Sequence, residues 1–477
     1  MNKIALLLLS ILTLFSCQKN TSEKVLKNEK QEIETYLKEQ IKTHEIPGLA
    51  LAVIKNGKVI FEGYFGKADL ENNLYVDKQT IFPLYSITKL IVSTAVYQLI
   101  EQGKLSLEDT ISQYIDNLPN EWKDIKIIHL LTHSSGLPDF TFEDRELTDK
   151  ELKSKLFKEK IHFEKGNQYE YNQTNYWFIA QIIEKITKQT VAEFVLKNQF
   201  SENKGEVLIS SNFKDSIPNR ANRYYFVKEL KQYRNSNANF QKRSHAANGL
   251  NSTLREFIQW NKRLDENLLL KNETKFNMWK PFDYANGTDK FLYGWKIYTS
   301  NSTISYGLTG GLQTGYRKFV ANDLTVIILT NGSKYFPVHN SIINRIAGIV
   351  DATLFDKKLV VEQILISSFL DKDLDKAVKK YYKLKEENPN ISFEENLNTL
   401  GYIFLNNNMV KKAIKIFEIN VNDNPESANC YDSLAEAYLV NNQFELSKNI
   451  YKKSLKLNPE NNNAKAMIEA IEKRIKG

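Results

Sequence analysis

Between Glu32 and Thr43 the apolar residues Ile33, Tyr36, Leu37 and Ile41 recur at helical spacing until Pro47-Gly48 breaks the pattern, so a helix opens the folded body. Leu49 to Ile54 and Val59 to Phe65 are β-prone runs on either side of Asn56-Gly57, a pair suited to the positive φ angles of a tight hairpin turn. They predict two antiparallel strands. From Ser86 to Gln102 apolar residues (Leu90, Ile91, Val92, Ala95, Val96, Leu99, Ile100) lie on nearly every side, and Gly103 can stop the run. That is the pattern of a buried helix. Further helices are expected at 125–132, 174–188 and 253–264, strands at 317–321 and 324–330, and a last helix over 337–353. Early strands, a largely helical middle and late strands predict one α/β unit whose sheet takes strands from both ends of the segment.

From residue 356 onward strand-like runs disappear and a fixed period takes over. Leu400/Leu434, Gly401/Ala435, Phe404/Tyr438, Ala413/Ser447, Phe417/Tyr451 and Pro425/Pro459 are each 34 residues apart. Ala377, Tyr381 and Pro389 keep the internal offsets of an earlier copy displaced by two residues, and Ala464 to Ile475 predict a closing helix. The period and its small and aromatic positions resemble the tetratricopeptide repeat. That resemblance implies an all-α domain of stacked helix pairs, able to dock a protein or peptide partner or to pack on a neighbour.

The chain begins with Lys3, an apolar run from Ile4 to Phe15, and Ser16-Cys17, which reads as a signal too short for a transmembrane helix. Leu14-Phe15-Ser16-Cys17 resembles the bacterial lipobox, which implies lipidation at Cys17 and an extracytoplasmic, membrane-anchored chain in a bacterial cell envelope. The polar stretch Gln18 to Lys30 suits a flexible tether. The expected organisation is a signal at 1–17, a tether at 18–30, a first domain at 31–355 and the repeats at 356–477. Cys430 is the one other cysteine, so a lipidated chain has no intramolecular disulfide. A hydrophobic fraction of 42% and a charged fraction of 26% are those of a globular protein. The net charge of +8, from 65 basic and 57 acidic residues, is thin and spread, which excludes a nucleic-acid footprint.

Ser86-Ile87-Thr88-Lys89 is a Ser-x-x-Lys pattern that also occurs at Ser16, Ser201 and Ser211, but only Ser86 is expected to begin a strongly apolar helix. There its hydroxyl would sit at the positive helix end, with Lys89 one turn later on the same face. A serine hydroxyl is a poor nucleophile until a neighbour takes its proton, and a desolvated lysine has a pKa low enough to help.

Phe82 to Lys89, His129-Leu-Leu-Thr-His-Ser-Ser-Gly-Leu137, Tyr169 to Tyr176, Gly249-Leu-Asn-Ser-Thr253 and Tyr306-Gly-Leu-Thr-Gly-Gly311 follow one another along the chain. In that order they resemble the motifs of the serine β-lactamase-like family, near class C β-lactamases, D,D-peptidases and related esterases. The resemblance covers roughly residues 30–355. It implies an antiparallel sheet flanked by helices with an added helical region. It implies Ser86 as nucleophile, with Lys89 and Tyr171 for proton transfer, and backbone N–H groups of Ser86 and Gly311 as the oxyanion hole. Gln173, Leu308, Thr309 and Gly310 would line the substrate. No cofactor or metal is required.

Two positions depart from the family. In Tyr171-Asn172-Gln173 the usual terminal Asn is Gln173, an amide with one more methylene. Leu308 stands where the family places Lys or His ahead of Thr-Gly, and its loss argues against efficient action on carboxylate-bearing ligands. Tyr233-Arg-Asn235 and Tyr284-Ala-Asn286 match Tyr-x-Asn literally but lie outside the resembling stretch. His129 and His133 are four apart, yet no Glu follows His129 and no third ligand is identifiable, so structural roles are expected. Gly-x-Ser-x-Gly and phosphate-cradling loops are missing from the sequence. The expected function is a serine hydrolase acting on a small ester, amide or peptide-like substrate. The alternative is an anchored scaffold built on a weak or inactive hydrolase fold.

Overall fold

The computed structural model describes residues 28–476 except 201, 203, 237, 288–290, 301–302, 336 and 372. The expected signal, Cys17 and most of the tether lie outside the described residues. The chain divides into two compact units, one reaching Phe226 and resuming over Tyr233–Phe355, the other comprising Val227–Gln232 and Asp356–Gly477.

The first unit opens with helix α1 over 28–44. Strands β1 (Gly48–Lys55) and β2 (Lys58–Asp69) form the expected hairpin, with Asn56 and Gly57 both at positive φ. β3 (Leu74–Tyr75) and β4 (Ile81–Pro83) precede α2 (Thr88–Glu101). The middle segment supplies α3 (Ile127–Leu131), α4 (Asp149–Leu156), α5 (Gln173–Thr187), α6 (Val191–Gln199), β5 (Val207–Ile209), β6 (Tyr224–Val227), β7 (Gln232–Asn235), α7 (His245–Asn248), β8 (Leu250–Thr253), α8 (Leu254–Asp265) and α9 (Asn272–Met278). The chain then returns through β9 (Lys296–Ser300), β10 (Thr303–Gly310), β11 (Thr314–Phe319), β12 (Leu324–Thr330) and α10 (His339–Val350).

Seven of these strands form one antiparallel sheet in the order β3-β2-β1-β12-β11-β10-β9, so both ends of the segment meet at β1 and β12. Alternation in these two strands explains why both read as unbroken apolar runs. Leu49, Leu51, Val53, Val326 and Ile328 face a core with Ile33 and Leu37 of α1 and Ile342, Ile343 and Ile346 of α10. Ala50, Ala52, Ile327 and Leu329 face the opposite core, shared with α2, α5 and α8. A sheet covered on both faces leaves no polar side to its central strands. A smaller sheet, β4-β8-β5, lies within the otherwise helical middle.

Several expectations shift. The helix expected at 125–132 shortens to the five residues of α3, and the last helix runs over His339–Val350 rather than 337–353. The strand expected at 317–321 is β11, Thr314–Phe319, and β9 and β10 were not anticipated. Two glycines and several hydroxyl residues in Thr303–Gly310 mask the strand signal, which cross-strand packing then overrides.

In the second unit, helices α11 (Lys357–Leu370), α12 (Leu374–Glu387), α13 (Glu394–Asn406), α14 (Val410–Asp423), α15 (Ala428–Val440), α16 (Phe444–Leu457) and α17 (Asn462–Lys476) follow in succession. The starts of α13 and α15, and of α14 and α16, are 34 residues apart. Close packing shapes one of the recurring positions: a Cβ on Gly401 would lie 2.3 Å from the Phe417 ring, so glycine lets α14 approach α13 there. Among the described residues no helix is long and apolar enough to cross a membrane.

Candidate active site

Ser86 is carried into the interior by β4, which pairs with β8 (Phe82 opposite Ser252). Tyr85 follows with φ +48°, a costly backbone region for an aromatic residue, and Ser86 sits in a single 3-10 turn, Tyr85–Ile87. The α-helix proper starts at Thr88. Ser86 is therefore presented by the turn ahead of the helix rather than by its first residue. The Thr88 hydroxyl accepts the Leu250 N–H at 2.9 Å and ties this corner to β8.

Lys89 is fully buried one turn on. Its Nζ donates to Gln173 Oε1 at 2.8 Å and to the Ala247 carbonyl at 3.0 Å, and lies 4.8 Å from the Tyr171 ring centroid and 5.2 Å from that of Tyr176. Burial pulls its pKa down to about 7, partly opposed by the nearby Asp139 carboxylate. Asp139 is itself pushed up by burial, against the N–H groups of Thr141 and Gln173 that its oxygens accept. An amine that is half neutral near pH 7 is suited to take a proton.

Tyr171 precedes α5, whose cap is Asn172, with Oδ1 accepting the Thr174 N–H at 2.7 Å. Burial raises the pKa of the Tyr171 hydroxyl above the usual phenol range, partly opposed by the nearby Ser86 and Gln173 side chains. It stays protonated at neutral pH. His133 fixes this segment: its Nδ1 accepts the Asn172 N–H and the Asn175 amide, both at 3.1 Å, and its ring lies 4.6 Å from that of Tyr171. Burial keeps the imidazole neutral. His129 Nδ1 accepts the Lys126 N–H at 3.1 Å and closes the start of α3. Both histidines thus hold backbone in place. Tyr233 and Tyr284, the literal matches, donate to the carbonyls of Glu45 and Thr132.

The opposite wall is β10 and the turn after it. Leu308 is 4% exposed, packs into the core with Tyr316 across the ladder, and brings no titratable group. Thr309 is half-buried beside it. A Cβ on Gly310 would lie 2.3 Å from the Leu84 carbonyl, and one on Gly311, at φ +56°, would lie 2.7 Å from the Tyr85 ring. These two glycines therefore let the turn press against the segment that bears Ser86. Among the described residues the Gly311 N–H donates to no protein acceptor.

The structure brings Ser86, Lys89, Tyr171 and Gln173 into one connected cluster. It also adds two groups that the sequence reading missed, both from the short helix α7. Asn248 Oδ1 accepts the Ser86 hydroxyl at 3.2 Å, and the Ala247 carbonyl accepts Lys89. α7 abuts the Gly249–Thr253 motif, but nothing in its spacing from Ser86 signals a contact 162 residues away.

Residues 33–349 match the beta-lactamase family. Protein flp of Staphylococcus aureus (strain MW2) is 27% identical over 174 residues, 35% of this chain and 35% of that one, so the chain spans about a third of the length of this curated relative. Among solved structures, an octameric penicillin-binding protein homologue from Pyrococcus abyssi superposes with a TM-score of 0.59 at 22% identity, covering 70% of this chain and 81% of its own. A D-amino acid amidase from Ochrobactrum anthropi SV3 gives 0.58 at 19% identity, covering 69% of this chain and 99% of its own. At such identities the structural likeness speaks for the fold, while the sequence match across two thirds of the chain decides kinship. The chain belongs to the beta-lactamase family and carries the serine-hydrolase fold of β-lactamases and penicillin-binding proteins.

Proposed function

We propose that this protein is an extracytoplasmic serine hydrolase that cleaves an ester, amide or peptide-like bond through a Ser86 acyl-enzyme. The observation that carries the reading is the buried Lys89 one turn after Ser86, bonded to Gln173 and set against the Tyr171 ring, with its pKa drawn down to about 7. Ser86 Oγ bonds to the substrate carbonyl carbon while its proton passes to the Tyr171–Lys89 pair. The N–H groups of Ser86 and Gly311 hold the oxyanion, and the pair returns the proton to the departing alcohol or amine. Water then attacks the acyl carbon, gives its proton to the same pair, and Ser86 leaves as the hydroxyl. Gln173, Thr309 and Gly310 orient the substrate and Leu308 gives it an apolar contact. The amidase and the penicillin-binding homologue among the structural neighbours support amides and peptide-like groups as the substrate class.

The same proposal includes a lipid anchor at Cys17, a tether over 18–30, a hydrolase domain at 31–355 and a tetratricopeptide domain at 356–477 for partner docking at the cell envelope. The 34-residue recurrence of helix starts supports the repeat assignment. A chain ending at Phe355 that stays folded and active would support the division.

A second reading, an anchored scaffold with a silent pocket, is favoured by Leu308. A fluorophosphonate or penicillin probe separates the two. Labelling that is lost in Ser86→Ala supports the enzyme, and no labelling of the wild type supports the scaffold. Release of D-Ala from peptidoglycan stem peptides tests the D,D-peptidase form of the proposal.

A further inference from the structure

Ser86 Oγ carries one proton, and Asn248 Oδ1 accepts it at 3.2 Å. In the proposed reaction that proton must instead reach Tyr171 and Lys89. Attack on a carbonyl requires the Oγ proton to leave for Tyr171 and Lys89, so a fixed bond to Asn248 would hold it back. A carboxamide resolves this conflict, because it presents an acceptor on one side and a donor on the other. Asn248 is half-buried at the end of α7, and the residue before it gives its carbonyl to Lys89. The same short helix therefore touches both the nucleophile and the lysine.

We propose that Asn248 is a positioning residue for the nucleophile. Its carboxamide fixes the rotamer of Ser86, accepts the Oγ proton at rest, and turns to donate from Nδ2 to Oγ when that proton is released to Tyr171. As the Oγ–carbon bond forms, the Oγ–H bond breaks and the proton goes to the Tyr171–Lys89 pair. The amide itself gains and loses nothing. This assignment rests on the serine-hydrolase reading.

The test is the kinetics of fluorophosphonate labelling of the full chain, with the limiting rate separated from probe affinity. Asn248→Ala should lower the limiting rate by about 10- to 100-fold, the cost of a misdirected reacting atom, and leave affinity within about twofold. Asn248→Asp, of the same shape but acceptor-only, should be equally slow. It also carries the test should the alanine variant fail to fold. A wild-type rate in Asn248→Ala overturns the positioning role, and one in Asn248→Asp overturns the turning amide. A loss confined to affinity overturns the assignment as well. Failure of the wild type to label at all brings down the hydrolase reading together with this one, whereas equal labelling of wild type and both variants brings down this one alone.

Discussion

The two walls of the Ser86 cleft differ in kind. On the α2–α5–α7 side polar side chains are tied together and to backbone: Lys89 bonds to Gln173 and the Ala247 carbonyl, Ser86 to Asn248, and His133 Nδ1 to Asn172 and Asn175. The β10 side offers Leu308, packed into the core, and two glycines that bring backbone close to the nucleophile. In the proposed mechanism one wall handles protons and the other supplies shape and N–H donors. A chain can therefore lose a cation on its substrate-facing strand and still keep the machinery of acyl transfer, because that machinery is buried on the opposite side and shares no side chain with position 308.

The largest break in this contrast is Lys89→Met. It should reduce probe labelling by about 10⁴-fold, the upper range for a general base, as measured by labelling kinetics. Its stability should also respond to pH in a defined direction. Lys89 is pulled from 10.5 to about 7 on folding, so between these values the unfolded chain binds more protons than the folded one. Wild-type stability relative to Lys89→Met should rise, by on the order of a few kcal/mol, as pH climbs from 7 toward 10. Denaturant unfolding of both proteins at pH 7 and 9.5 measures this. A difference that does not change with pH would mean that the lysine is not desolvated.

Tyr171→Phe should cost about 10²-fold in labelling rate, since it removes the hydroxyl proposed to relay the Ser86 proton but keeps the ring that packs on His133 and lies 4.8 Å from Lys89 Nζ. In the wild type the rate should rise about tenfold per unit below pH 7 and level off above it, as the neutral amine of Lys89 accumulates. A pH–rate profile of probe labelling checks this. The smallest effect should come from the other wall. Leu308→His should raise nitrocefin hydrolysis by a few-fold, since one restored hydrogen-bonding group contributes on the order of 1 kcal/mol. An unchanged rate would tell against Leu308 as a determinant of β-lactam turnover.

The sequence made the chemistry of the polar wall legible and left its assembly hidden. Ser86, Lys89 and Tyr171 stood out because a Ser-x-x-Lys at an apolar run and a tyrosine at a known offset carry recognisable motifs. The central strands β1 and β12 were equally plain, as unbroken apolar runs between turn signals. What the sequence could not display were contacts made between distant segments. Asn248 reaches Ser86 across 162 positions, and the Ala247 carbonyl that receives Lys89 has no side-chain signature at all. β10 was overlooked because Gly307 and Gly310, which allow close approach to Tyr316 and to Leu84, are residues that local strand propensity disfavours. The helix start was misplaced by two residues because the strained Tyr85 backbone turns the chain before the helix begins. In each case close packing at the site overrides the local pattern.

The account depends most on whether Ser86 is an active nucleophile. Mass spectrometry of the intact protein after fluorophosphonate treatment tests it most directly. We expect one adduct per chain, located on the peptide that contains Ser86, and no adduct in Ser86→Ala. An unmodified wild-type chain, or an adduct that persists when Ser86 is replaced, would contradict it.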